Sequence, residues 1–300
     1  MSLPARFRRT RLLIVGCGDV GLRVLPRVTG RWTVRVLTSQ PERQAALRAA
    51  GASPLLGNLD DADSLRRLAR LAPRVLMLAP PPAQGSADPR MTALARVLRR
   101  PGPSGAVRRL VYASTTGVYG DVGGAWIDES QPCAPRTDRA RRRVAAEQAV
   151  RSLGAAAGWC ASILRVPGIY AGDREGGPAA RVRRGAPVLV PAEDVYTNHI
   201  HADDLARTGL AALFRGAPQR VYHVCDDSQR RMGEHFEAVA EACGLPRPPR
   251  ITRAQAAKQF SPVQLSFLSE SRRLSNARMK KELRVQLLYP DVLAALKAGR

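Results

Sequence analysis

The sequence predicts an α/β fold in which a doubly wound parallel sheet carries a smaller, discontinuous C-terminal lobe. Two observations carry that expectation. Through the first half of the chain, short aliphatic and β-branched runs alternate with longer segments of helical periodicity, the pattern of consecutive βαβ units. After Val166 the rhythm breaks into proline- and glycine-rich stretches, from Pro167 to Pro191, followed by scattered helical and extended pieces. A chain of 300 residues, 45% of them hydrophobic, suffices for one large core with a second lobe.

Strands are expected at Arg11 to Val15, Thr33 to Leu37, Ser53 to Leu56, Val75 to Ala79, Leu110 to Ala113 and Ser162 to Val166. Between them helices are expected at about 20–29, 41–50, 61–72, 90–100 and 138–153, several opened by a capping residue or proline and closed by glycine. A helix near 203–215, a strand from Val221 to Cys225 and helices near 232–243 and 290–298 complete the chain. Residues 1–166 therefore read as the sheet domain. Residues 167–300 read as mainly a substrate-binding lobe, with a stretch of about 195–225 returning to the sheet.

The net charge of +23 invites a nucleic-acid reading. The only lysines, however, are Lys258, Lys280, Lys281 and Lys297, so the basic charge is arginine spread along the chain. No recognition helix, ribonucleoprotein motif or interleaved surface aromatic accompanies it, and no specific nucleic-acid partner is expected. The five cysteines include no C-x-x-C pair, which argues against a disulfide framework and a metal knuckle and favours a reducing, cytoplasmic setting. The basic residues Arg8 and Arg9 ahead of Leu12 to Val15 are too closely followed by glycine for a signal peptide and read as the lead into a first strand. No apolar run approaches the ~20 residues that span a bilayer, so no membrane association is expected.

Directly after that first strand stands Gly16-Cys17-Gly18-Asp19-Val20-Gly21, a G-x-G-x-x-G followed by the helix-like Leu22 to Val28. In this strand-turn-helix context the motif marks a Rossmann-type dinucleotide site. Gly16 permits the tight turn, Gly18 lets the backbone approach a pyrophosphate, and Gly21 allows close packing. Asp19 and Val20 open the helix whose N-terminal amides attract phosphate. The second strand exits into Thr38-Ser39-Gln40-Pro41-Glu42-Arg43 with no carboxylate at the exit itself. Ser39 and Arg43, with Thr38 beside them, suit a 2′-phosphate, which favours NADP; Glu42 keeps NAD open as the alternative.

Longer motifs follow. Leu110-Val111-Tyr112-Ala113-Ser114-Thr115-Thr116-Gly117-Val118-Tyr119-Gly120 resembles the fifth strand and active-site loop of the extended and atypical short-chain dehydrogenase/reductase superfamily, the NAD-dependent epimerases and dehydratases. Similar segments are Gly57 to Asp61, Asp128 to Pro135, Leu164 to Tyr170, Asn198 to Asp204 and Tyr222 to Val224, so the likeness spans most of the chain. The resemblance implies that Asn58 and Leu59 border the adenine, Ala79 and Pro80 the nicotinamide ribose, and Pro167, Gly168 and Ile169 the nicotinamide. It implies that Thr115, four residues before Tyr119, holds the substrate's carbonyl or alcohol oxygen.

One departure matters most. In that superfamily a Y-x-x-x-K pair opens the helix after the active-site loop, upstream of an A-x-E segment. Ala145-Ala146-Glu147 anchors the segment here and puts Arg139 at the tyrosine position and Arg143 at the lysine position. None of the six tyrosines has a lysine four residues on. Arg143 can keep a ribose contact, but an arginine does not practically release a proton. Tyr119, Tyr170, His199 and His201 are the other proton carriers in the resembling segments, and Tyr170, Arg174 and His201 are the expected substrate contacts. Two functions stay open: an NAD(P)-dependent oxidoreductase or epimerase-like enzyme acting on a small molecule, or a catalytically silent NAD(P)-binding redox sensor or regulator. A homodimer is compatible with either.

Overall fold

The computed structural model describes residues 10–100, 107–174 and 176–298; Arg8 and Arg9 lie outside them. In chain order the first elements are β1 (Thr10–Val15), α1 (Asp19–Val28), β2 (Trp32–Thr38), α2 (Gln44–Ala49), β3 (Ser53–Leu56), β4 (Arg74–Met77), α3 (Pro89–Leu98), β5 (Arg108–Thr115), β6 (Trp126–Ile127), α4 (Asp138–Ala157) and β7 (Trp159–Val166). There follow β8 (Gly168–Tyr170), α5 (Pro178–Arg183), β9 (Val188–Leu189), β10 (His199–His201), α6 (Ala202–Arg215), β11 (Arg220–His223), α7 (Met232–Cys243) and β12 (Arg250–Ile251). The last elements are α8 (Arg253–Gln259), α9 (Pro262–Leu268), β13 (Arg273–Leu274), α10 (Ala277–Leu283) and α11 (Val292–Ala298).

Seven strands form one sheet in the order β11-β7-β5-β4-β1-β2-β3, and the registers of β1 with β2 and β4, of β2 with β3 and of β4 with β5 are parallel. The chain winds outward through β2 and β3, then returns past β1 to β4. That reversal creates a switch point between β1 and β4, the place where doubly wound sheets bind ligands. Because both faces are covered, the strands read as continuous apolar runs: Leu12, Leu13, Ile14 and Val15 are all fully buried.

The chain divides into two units, Met1–Ser114 with Asp138–Leu164 and Ala206–Tyr222, and Thr115–Thr137 with Arg165–Leu205 and His223–Arg300. In the first unit, Met91, Leu94 and Leu98 of α3 and Ala146, Val150 and Leu153 of α4 join Val75, Met77, Leu110 and Tyr112 of the sheet in one core. The spacing within each helix is the three- and four-residue repeat that keeps one face inward. In the second unit Val182, Val188, Leu189, Val195, Phe236, Val239 and Val292 form a separate core. Three short parallel pairs, β8 with β10, β9 with β12 and β6 with β13, tie its distant segments together.

One expected helix is not formed. The stretch 61–72 holds only a short 3-10 turn, Arg66–Leu68. Local side-chain bonds compete with the helix: Asn58 Oδ1 accepts from the Asp60 amide at 3.0 Å, Asp61 Oδ1 from the Asp63 amide at 3.1 Å, and Ser64 Oγ from the Asn58 amide at 2.9 Å. Arg70 at φ 65° then breaks the run. Leu65 and Leu68 are buried all the same, so the apolar periodicity was real while the helix was not.

Candidate active site

The glycine-rich turn sits at the switch point. Gly16 has φ 87°, and a Cβ there would lie 2.4 Å from the backbone nitrogen of Ala79. Only glycine fits, because the amides of Leu78 and Ala79 both donate to the Val15 carbonyl, at 2.8 and 3.0 Å, and bring that loop against the turn. A Cβ on Gly21 would touch Cys17 Sγ at 3.0 Å, which accounts for the close approach of α1. Gly18, the N-cap of α1, differs: its φ is ordinary at −79°, and a Cβ would meet nothing within 4 Å. Neither strain nor packing demands glycine there, so the open space beside the helix N-terminus is the feature that a bound pyrophosphate would use.

Asp19 opens α1 and accepts from Arg23 Nε at 2.9 Å, while Val20 and Gly21 complete its first turn. Thr38 ends β2 and its Oγ1 accepts from the Gln40 amide at 3.2 Å, turning the chain so that Ser39 is exposed. From the next turn Arg43 reaches back, and its Nη2 donates to the Cys17 carbonyl at 2.7 Å. The guanidinium thus rests on the glycine-rich turn although 26 residues separate the two in sequence. Burial pushes the Cys17 thiol up to about 11, against the opposing pull of Arg43, so it stays protonated.

Asn58 and Leu59 follow β3, and Ala79 and Pro80 follow β4. Sequence reasoning missed the side chain that ties these loops together. Arg90, in the first turn of α3, donates to Asp60 through Nε at 2.7 Å and Nη2 at 2.6 Å, and its Nη1 reaches the Pro80 carbonyl at 3.2 Å. The Arg90 guanidinium holds the Asp60 carboxyl below its usual range. No local pattern announces such a clamp, because its ends lie 30 residues apart.

Helix α4 is held in register by Ser114 at the end of β5, whose hydroxyl donates to the buried Glu147 carboxylate at 2.6 Å. Arg143, one turn earlier on the same face, donates through Nη1 to the Ala113 carbonyl at 2.7 Å and to the Tyr112 hydroxyl at 3.0 Å. Burial pushes the Tyr112 phenol up to about 12. Arg139, a further turn back, is exposed. Ser114→Ala is expected to destabilise the protein by about 1.5–3 kcal/mol, the range for a hydrogen bond to a charged group. Denaturant unfolding followed by circular dichroism checks it, and an unchanged midpoint would show that Glu147 is held by other partners.

In the second unit Thr115, the last residue of β5, caps the turn that follows, with Oγ1 accepting from the Gly117 amide at 3.4 Å. Tyr119 is fully buried and its hydroxyl pairs with His223 Nε2. His223 Nδ1 faces the Ser275 carbonyl at 3.1 Å, an acceptor, so the ring proton sits on Nδ1 and the Tyr119 hydroxyl is the donor. Burial pushes His223 down to about 3 and keeps it neutral. Tyr119 is thereby given a packing and hydrogen-bonding role.

Pro167 precedes β8, where Gly168 and Ile169 pair with His199 and Ile200. His201 is buried, accepts the Asp203 amide at 3.1 Å and packs against Tyr289, the two rings tilted by 35° with centroids 3.8 Å apart. Tyr170 is buried beside Asp226, while Arg174 is half-buried and shares a cavity lining with Tyr170. The segment Glu270 to Asn276 folds against the 120–127 loop: Arg272 Nη1 donates to the Gly120 carbonyl at 2.6 Å, and Asn198 brackets the segment through the Arg272 carbonyl and Leu274 amide. Among the described residues no group of three or more His, Cys, Asp or Glu side chains could hold a metal ion, and no helix is long and apolar enough to cross a membrane.

Residues 12–225 match the NAD dependent epimerase/dehydratase family. Protein YeeZ of Escherichia coli is 23% identical over 94% of this chain and 97% of its own. A solved protein of unknown function from Silicibacter pomeroyi is 31% identical, with a TM-score of 0.81 over 96% of this chain and 97% of that one. A dTDP-glucose 4,6-dehydratase from Streptomyces venezuelae, solved with NAD, has 17% identity and a TM-score of 0.75 over 96% of each chain, a likeness of fold.

Proposed function

The chain belongs to the NAD dependent epimerase/dehydratase family, and from that premise we propose that it binds a nicotinamide dinucleotide, NADP in preference to NAD, and acts as an oxidoreductase or epimerase-like protein on a small molecule. The observation that carries the reading is the unfilled space over Gly18 at the N-terminus of α1. The dehydratase relative solved with NAD supports the same class of cofactor. Bound there, a nicotinamide dinucleotide supplies a hydride donor or acceptor. The chain's own part is to hold it: the first amides of α1 face the pyrophosphate, and the Arg90 clamp positions the Asn58–Leu59 and Ala79–Pro80 loops for adenine and ribose. Arg143, engaged with protein through Nη1, keeps Nη2 for the ribose hydroxyls.

Preference for NADP rests on Arg43. Its guanidinium is drawn onto the glycine-rich turn by the Cys17 carbonyl, Ser39 at the β2 exit is exposed, and no carboxylate at that exit stands against a 2′-phosphate. A charge-assisted contact of this kind is worth about 1.5–3 kcal/mol, or roughly ten- to a hundredfold in affinity. Nicotinamide fluorescence titrations are expected to show NADPH binding tighter than NADH, with the difference erased in Arg43→Ala. Equal affinities in the unmodified protein would reject the preference and leave the cofactor class standing.

A second reading, a catalytically silent dinucleotide sensor, is favoured by one feature. On the resemblance, Arg139 and Arg143 stand at the positions of this superfamily's proton-transfer pair, on the helix whose register Ser114 fixes through Glu147. Dinucleotide binding without turnover of any carbonyl substrate separates it from the enzymatic reading.

A further inference from the structure

We propose that the first unit carries a further binding surface, an arginine face at the N-terminal edge of its strands that takes single-stranded nucleic acid without sequence preference. The positive charge of the chain is unevenly shared. The first unit holds 28 arginines and no lysine against eight acidic residues, whereas the second holds 20 basic and 17 acidic residues. Within the first unit the two signs are also separated. Seven of the eight acidic residues, from Asp19 to Asp138, stand in the loops and helix starts at the glycine-rich end of the sheet, and the eighth, Glu147, is buried. The stretches 27–32, 48–53, 64–74, 96–109, 148–159 and 209–220 return the chain to the opposite edge, and they contain 15 arginines with no aspartate or glutamate.

Contacts gather several of these stretches into one surface. Arg108 Nη1 donates to the Leu98 and Arg100 carbonyls at 3.4 and 3.2 Å, its Nη2 reaches the Ala157 carbonyl, and the guanidinium lies over the Trp159 ring. Arg109 Nη1 donates to the Gly216 carbonyl at 2.8 Å. Arg74 stands opposite Arg109 in the β4–β5 register and lies 5.0 Å over the Phe214 ring, which meets Trp32 edge-on at 5.1 Å. Arg31, beside Trp32 in sequence, and Arg99 and Arg100, after α3, are exposed, as is Phe214 at 45%. Among the described residues no carboxylate pairs with any of these six arginines.

Helix ends alone do not account for this charge. Helices α1, α2, α3, α4 and α6 end at this edge, and their C-termini present only about two to three negative charges in total. Like charges gathered beyond that need favour a polyanion. The composition of the face selects its class. Guanidinium groups pair bidentately with phosphates and stack on planar rings. Phe214 adds an exposed ring for a base to stack on, and a base offers its face freely only when it is unpaired. An acidic peptide supplies the charge without the bases. No local stretch of sequence interleaves aromatic and basic residues in this way; the fold assembles Trp32, Arg74 and Phe214 from two strands and a helix. The edge lies across the parallel sheet from the glycine-rich turn, so the surface is independent of the dinucleotide site.

Fluorescence anisotropy of the full chain with a labelled oligothymidylate of about 20 nucleotides, longer than the roughly 4–16 that such sites cover, tests the proposal. Affinity is expected to fall by about 50- to 300-fold between about 50 and 200 mM salt, the loss for about four to six neutralised phosphates. A DNA duplex and polyglutamate of the same length, and phosphatidylserine vesicles, are expected to bind more weakly than the single strand. Arg99→Glu with Arg100→Glu, both exposed, is expected to weaken the single strand by about tenfold or more. Arg247→Glu with Lys258→Glu, exposed in the second unit, is expected to leave it within about twofold. Phe214→Leu is expected to weaken the single strand by about fivefold or more and polyglutamate not at all; the Arg99 and Arg100 pair carries the test should this variant fail to fold. NADPH is expected neither to displace the strand nor to lose affinity in any variant. No binding at low salt, equal loss in both charge-reversed pairs, undiminished binding in a folded Phe214→Leu protein, equal or tighter binding of a competitor, or displacement by NADPH overturns the surface. A protein that binds the strand and not NADPH upholds the surface and defeats the dinucleotide reading, and the converse result defeats the surface alone.

Discussion

Replacing Gly18 by leucine is expected to abolish NADPH binding while leaving the fold intact. At Gly18 φ is −79°, outside the left-handed region that favours glycine, and a Cβ meets no atom within 4 Å. A leucine there has room for its Cβ in the free protein and occupies the space that a pyrophosphate needs beside the α1 amides. Charge-assisted hydrogen bonds contribute about 1.5–3 kcal/mol each, so losing two or more lowers affinity by about a hundredfold or beyond. The contrast is Gly16→Ala, where φ 87° and the Ala79 backbone at 2.4 Å make the change a stability defect first. Titration by nicotinamide fluorescence, paired with thermal melts, reads both. Unchanged binding in a folded Gly18→Leu protein would sink the assignment of this turn.

The second large effect is expected on the chemistry. Reduction of a carbonyl needs a proton delivered to its oxygen, and arginine at 139 and 143 supplies none. General acid assistance is typically worth about 10²- to 10⁴-fold, so the unmodified protein is expected to oxidise NADPH with aldehydes and ketones slowly or undetectably. The double change Arg139→Tyr with Arg143→Lys is expected to raise that rate by a factor within the same range. The Ser114–Glu147 bond fixes the helix register, so the new side chains emerge from the same face of α4. Neither Tyr119, fully buried on His223, nor His201, packed beneath Tyr289, is placed as a ready substitute. Brisk turnover by the unmodified protein, lost in Tyr119→Phe or His201→Ala, would locate the proton route there and overturn the assignment to position 139.

Both expectations begin from short motifs, and the reliability of each motif follows from its physics. The strand-turn-helix around Gly16 to Gly21 is legible because its requirements, a left-handed turn and an uncapped helix start, are properties of six consecutive residues. The placement of Arg139 and Arg143 is legible because one helix carries both together with Glu147, and its period fixes their common face. The 61–72 segment misled for the opposite reason. Its leucines repeat as a helix would, but asparagine, aspartate and serine side chains satisfied the backbone locally and won over the helical bonds.

The sequence by itself therefore determined the parallel α/β class, the glycine-rich strand-turn-helix, the missing carboxylate at the β2 exit and the arginines at positions 139 and 143. Each is written in residues a few positions apart, where chain geometry alone sets the outcome. Only the tertiary structure decided that Arg43 rests on the Cys17 carbonyl, that Arg90 joins Asp60 to Pro80, and that Tyr119 faces inward to His223. It alone brought Tyr170 and Arg174 against Val292 and Leu296 to enclose a cavity. These contacts join residues from 10 to 104 or more positions apart. Burial and the need to satisfy buried polar groups choose such partners after the chain has folded, and no local periodicity records the choice.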